Sequence, residues 1–231
     1  MISSPGRRAA LVAVLVSLVV ACGPLVARSP PASAQPLTYV AIGASDSVGV
    51  GANVPEAEGW VAVLYGRLPS GSRLVNLGVS GTLLRQALEQ QLPVALDSEP
   101  DLVTVWLAVN DLNARVPLER YSSELDTLMA ALRARTHATV LVGNIPDVAR
   151  LPVYQEVDRE EIEREVGRWN VAIADVVARH GAQLVDLYAG WPELAEHPEY
   201  VGRDGFHPST DGYQRLAEMF FAALPVGLNE R

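Results

Sequence analysis

Leu102-Val103-Thr104-Val105-Trp106-Leu107-Ala108-Val109-Asn110-Asp111 is the stretch that decides the fold. From Leu102 to Val109 every residue except Thr104 is apolar, without the alternation of a strand that has one wet face. Such a strand needs cover on both sides, which points to a parallel sheet between layers of helices. Working outward, further apolar runs at Leu37–Gly43, Leu74–Leu77, Thr139–Gly143 and Gln183–Leu187 each lie near a Gly, Pro or Asp boundary. Between them, apolar residues fall at helical spacing: Leu118, Tyr121, Leu125, Leu128, Met129 and Leu132, then Ile162, Val166, Trp169, Ile173 and Val176, and last Tyr213, Leu216, Ala217, Phe220 and Leu224. The expectation is one domain over residues 37–231, a three-layer α/β/α fold with a mainly parallel five-stranded sheet, flavodoxin-like and joined by right-handed crossovers. Ligands of such sheets bind beyond the carboxyl ends of the strands, so the loops there should carry the chemistry.

The residues ahead of this domain read differently. Arg7 and Arg8 precede an uncharged run from Ala9 to Ala21, too short for a comfortable bilayer span and typical of a signal peptide. Val19, Val20 and Ala21 before Cys22 resemble a bacterial lipobox, so residues 1–22 are expected to be a signal peptide with a lipidated Cys22, and 23–36, rich in Pro, Ser and Ala, a tether. Alternatives are a plain secretory signal and an uncleaved anchor. The expected location is the cell envelope, outside the cytoplasm, with membrane contact through the N-terminal lipid alone.

Cys22 is the only cysteine, which excludes intramolecular disulfides and thiolate metal clusters. The formal charge is −9, making nucleic acid a poor partner. No metal or cofactor is implied.

Four loops carry the candidate chemistry. Gly43-Ala44-Ser45-Asp46-Ser47-Val48-Gly49 follows the first apolar run, and its small residues allow a tight turn that lifts a hydroxyl to the sheet edge. Asn76-Leu77-Gly78-Val79-Ser80-Gly81 follows the second, and Ala108-Val109-Asn110-Asp111 places an amide at the end of the central one. Asp204-Gly205-Phe206-His207-Pro208 precedes the last helical pattern. A carboxylate three residues before an imidazole can reach its Nδ1–H and leave Nε2 to take a proton from serine. His137, His180 and His197 have plainer positions: a strand start, a helix end and a Pro-flanked loop.

Together these four loops resemble the SGNH/GDSL hydrolase family over Leu37 to Leu224. The resemblance implies a serine hydrolase of carboxylic esters, with Ser45 as nucleophile, Asp204 and His207 completing the triad, and Ser45, Gly78 and Asn110 forming the oxyanion hole. Asn144-Ile145-Pro146-Asp147 also looks like a loop many members carry. Two departures stand out: Ala44 replaces the Asp before the serine, with Asp46 after it, and Ala108 replaces a glycine. The implied substrate is a small-molecule, lipid or carbohydrate ester. Esterase, lipase and lysophospholipase activities, and O-acetylesterase activity on envelope or extracellular polysaccharide, all fit this reading.

Rival readings are weaker. Gly49-Val50-Gly51 hints at a dinucleotide site, but Val54 stands where a third glycine is needed. A non-catalytic binding lipoprotein would not need Ser45, Asn110, Asp204 and His207 as a set. Leu151–Glu165, with its charged run from Asp158, reads as a solvated helix face, the alternative being a wall of the substrate pocket.

Overall fold

The computed structural model describes residues 35–190 and 197–229, with Met1. The chain divides into two units, Met1–Ala32 and Ser33–Arg231, and the fold is that of the second. Cys22 and residues 23–34 of the expected tether lie outside the described residues.

Five strands form one sheet, β1 (Thr38–Gly43), β2 (Arg73–Asn76), β3 (Leu102–Trp106), β4 (Thr139–Gly143) and β5 (Gln183–Val185), in the order β2-β1-β3-β4-β5. All four pairings are parallel. Every residue of β3 is buried, as its unbroken apolar run requires. Among the described residues no helix is long and apolar enough to cross a membrane.

The three helical patterns become the helices Leu118–Arg135, Arg159–Arg179 and Thr210–Ala222. The first two turn Tyr121, Leu125 and Leu128, and Val166, Trp169 and Ile173, into the core. The third packs on the short helix Trp60–Gly66, where Trp60 stacks on Phe220 at 4.3 Å and meets Trp106 edge-on at 6.1 Å. Asp158 caps the second helix through the N–H groups of Glu160 and Glu161, and the charged run that follows is largely solvated.

Two expected runs end early. β3 stops at Trp106, not Val109, because its last ladder partner is Gly43 at the end of β1. With no strand alongside, the backbone closes its hydrogen bonds locally, and Ala108–Asn113 is a helix. β5 stops before Leu187, since Asn144 Oδ1 accepts the N–H groups of Leu187 and Tyr188 at 2.7 and 3.1 Å and starts a helical turn there.

This strand order turns back on itself once. From β1 the chain moves to β2 on one side, then crosses to β3 on the other. Beyond the carboxyl ends of β1 and β3 the two following connections diverge and leave a crevice. Ser45 and Asn110 stand in the first turns after those two ends.

Candidate active site

Gly43 closes β1, and Ser45 opens the four-residue helix Ser45–Val48. At that first helical position the Ser45 N–H has no intrahelical acceptor and is free to face a ligand. Ser45 Oγ lies 2.9 Å from His207 Nε2, although the two residues are 162 positions apart. His207 Nδ1 lies 2.6 Å from Asp204 Oδ2. A carboxylate only accepts, so Nδ1 carries the proton, and the bare Nε2 accepts from the serine hydroxyl.

Asp204 is held for this work. Its Oδ1 accepts the N–H groups of Phe206 and His207, each at 3.0 Å. Partial burial pushes its carboxyl up, but the bonds from the His207 ring and these two N–H groups outweigh it and hold Asp204 below its usual value. It stays an anion at neutral pH.

The nucleophile and base loops are clamped together. Tyr213 donates to the carbonyl of Val50 at 2.6 Å, and the Asn53 N–H donates to Thr210 Oγ1 at 3.0 Å. Gly51 sits between them with φ of 103°, and a Cβ there would lie 2.4 Å from the Pro208 carbonyl. The Gly49-Val50-Gly51 run therefore serves loop contact, which removes the dinucleotide reading's main support. On its other side Gly43 is gripped by Gln91: Oε1 accepts the Gly43 N–H and Nε2 donates to the Gly43 carbonyl, both at 2.9 Å. Gln91 ends a π-helical turn, Ala87–Gln91, the kind of irregularity that often re-aims a side chain at a functional site.

Ser47, the second serine of this loop, is buried against Gly43, where its Oγ would lie 1.9 Å from an added Cβ. It does not share the Ser45 bond to His207.

On the far side of Ser45, Asn110 Nδ2 donates to the Thr82 carbonyl at 3.1 Å, leaving its second N–H available. Asp111 beneath it accepts the Leu84 N–H at 3.0 Å and pins the two loops together. Burial pushes the Asp111 carboxyl up to about 6, opposed by that bond from Leu84.

Gly78, expected in the oxyanion hole, is engaged within its own loop. Its N–H donates to Asn76 Oδ1 at 3.0 Å. A Cβ on it would lie 2.8 Å from Ser47 Cβ and 3.0 Å from the Ala44 carbonyl, so its smallness lets β2's loop pack against the nucleophile loop. Gly81, with φ of 80° and open space where a Cβ would sit, is followed by the Thr82 carbonyl that holds Asn110. Among the described residues its N–H donates to no protein acceptor.

Comparison with known proteins places this arrangement. The pattern of the GDSL-like lipase/acylhydrolase family matches residues 41–215. The chain belongs to that family. It is similar to an acetylxylan esterase of Geobacillus stearothermophilus, 25% identical over 178 residues, covering 72% of this chain and 80% of that protein. Esterase TesA of Pseudomonas aeruginosa is 28% identical over 211 residues, covering 90% of this chain and 96% of that one. The crystal structure of Axe2, an acetylxylan esterase from Geobacillus stearothermophilus, superposes with a TM-score of 0.68 at 19% identity, covering 87% of this chain and all (100%) of that one. The protein is a GDSL-family carboxylic ester hydrolase on the same fold.

Trp106, Val109, Val148, Leu151 and Phe206, with His207 and Asp46, line a cavity of about 30 Å³ beside the nucleophile, by a measure in which one water needs ~10–15 Å³. Leu151 thus belongs to the wall of this cavity, which the charged residues after it do not reach. Burial pushes the Asp46 carboxyl up to about 6, with the attraction of His207 opposing. Among the described residues no group of three His, Cys, Asp or Glu side chains is set to hold a metal ion.

Proposed function

We propose that this GDSL hydrolase cleaves short-chain esters, O-acetyl groups on carbohydrate foremost, through an acyl-enzyme on Ser45. The observation that carries the reading is the continuous relay from Ser45 Oγ to His207 Nε2, 2.9 Å, and from His207 Nδ1 to Asp204 Oδ2, 2.6 Å. His207 takes the serine proton as Oγ attacks the ester carbonyl, then returns it to the departing alcohol; a water repeats the sequence to release the acid. The tetrahedral oxyanion is received by the Ser45 N–H and the free N–H of Asn110. The N–H of Gly78, the third donor expected from the sequence, is taken by Asn76 Oδ1 at 3.0 Å and would have to leave it to join them.

Short acyl chains suit the narrow cavity that Asp46 and His207 line beside Ser45. The acetylxylan esterase names of two relatives point the same way. The test compares p-nitrophenyl acetate, butyrate and palmitate, together with acetylated xylo-oligosaccharides, and includes Ser45→Ala. Acetate turnover well above palmitate and none by Ser45→Ala is the expected result. Equal rates on all chain lengths would sink the short-chain reading, and full activity in Ser45→Ala would sink the nucleophile.

We also propose that the enzyme works outside the cytoplasm on a lipid carried by Cys22, a reading supported by the apolar run from Ala9 to Ala21 and the lipobox-like residues before the cysteine. Labelled palmitate should enter the wild-type chain in a bacterial host and not Cys22→Ser; equal labelling of both would exclude it.

A further inference from the structure

Asp46 is the ionisable group of the cavity that the triad leaves without a task. It follows the nucleophile directly and lines the same cavity as His207. Among the described residues no side chain donates a hydrogen bond to its carboxylate. The groups facing it have been assigned elsewhere: Tyr213, close enough for the Asp46 charge to hinder its ionisation, donates to the Val50 carbonyl, and Asp204 has the same sign and is bonded to His207. Tyr200 also reaches the cavity, and no Lys or Arg lines it. Of the residues lining the cavity with Asp46, the one that can become positive is His207.

We infer that Asp46 is a second carboxylate acting through His207, a positioning residue whose charge finds its partner only when the imidazole is protonated during acyl transfer. Burial makes the Asp46 charge costly to keep and pushes its carboxyl up to about 6, a rise that attraction to a protonated His207 opposes; in the resting relay Nε2 accepts from Ser45 and carries no proton. When His207 takes the Ser45 proton, an imidazolium appears beside this anion, and their attraction exists in the transition state but not in the ground state. Only such differential interactions speed the chemical step. Asp204 fixes the tautomer and the ring; Asp46 adds field without a hydrogen bond.

This rests on the acyl-transfer reading, with His207 as base. The acid limb of kcat/KM for p-nitrophenyl acetate reports the groups that must be deprotonated in the free enzyme. Above about pH 6 Asp46 is ionised, and below it the carboxylate is neutralised. From pH 7 to pH 4 wild-type kcat/KM should therefore fall about tenfold further than a single-proton curve allows, since a neighbouring charge is worth roughly one to three pKa units. Asp46→Asn should lower kcat about tenfold with KM unchanged, move the acid limb to lower pH, because His207 loses a negative neighbour, and reduce that limb to one proton. Asp46→Glu should restore part of the rate and the extra fall. A wild-type limb that follows a single proton overturns the inference without any variant, as does an Asp46→Asn enzyme whose limb does not move. Those outcomes leave the nucleophile assignment intact, because that assignment fails on activity in Ser45→Ala instead.

Discussion

Two histidine–carboxylate pairs at opposite ends of the sheet make an instructive contrast. His207 meets Asp204 at 2.6 Å beyond the carboxyl ends of the strands, and His180 meets Asp126 at 2.9 Å where the chain enters β5. Both imidazoles are largely buried beside a half-exposed carboxylate. Asp126 is further shared with Arg179 at 2.9 Å, and bonds from His180 and Arg179 hold its carboxyl below the usual value. What separates the pairs is the third partner. His207 offers its other nitrogen to a serine at the start of a helix, whereas the His180 carbonyl takes Arg133 at 2.7 Å and its ring ties two helices together. The pair alone is a common device for joining elements. It becomes a proton relay only at the end of the sheet where parallel strands release their loops toward one crevice.

Matched substitutions test that contrast. His207→Ala should cost roughly 10⁴–10⁶ in kcat, read on p-nitrophenyl acetate, while His180→Ala leaves kcat/KM within about twofold, surface pairs being worth little. A comparable loss in both would mean that the relay is not confined to one end. Asp204→Asn should cost roughly 10⁴ in kcat by allowing the wrong tautomer, with Asp126→Asn again silent in the assay. Asn110→Ala, which removes one oxyanion donor and leaves the relay intact, should cost about 10²–10³ in kcat while fluorophosphonate still labels Ser45, more slowly. The smallest effect is on stability. Asp126 has a lowered folded-state value, so its contribution is present above the usual carboxylate value of 3.8 and lost as pH falls through the folded one. Asp126→Asn should therefore melt slightly below wild type at pH 7 and equal to it in strong acid, followed by thermal unfolding at both pH values; a deficit that grows with acid would reverse the sign.

Much of the relay was legible in the chain because each part is local. Asp204 and His207 sit three residues apart in one turn, and Ser45 lies among small residues directly after an apolar run. The parallel sheet could be inferred because β3 is apolar on both faces. Other features gave no local signal. Gln91 grips Gly43 across 48 residues, and Asp111 reaches the Leu84 N–H across 27; neither bond follows from a pattern in either segment. Gln91 follows Glu89 and Gln90, and nothing in that polar run sets it apart. That the Gly78 N–H already has an acceptor depends on how Asn76 folds back. The early end of β3 was hidden because an apolar run continues past Trp106, while the ladder ends with the partner strand.

By itself the sequence determined the fold class and the order of the four loops, and it put forward Ser45, Asp204 and His207 as the proposed relay, since these follow from hydrophobic periodicity and from groups close together within one turn. The tertiary structure decided which of three histidine–carboxylate pairs, counting His197 with Glu199 at 2.8 Å, meets a serine. It also decided that the Gly78 N–H is taken by Asn76, how narrow the cavity is, and that Asp46 and His207 line it together. Those outcomes depend on strand order and packing, which bring residues more than a hundred positions apart to within a hydrogen bond, and no short-range pattern encodes that distance.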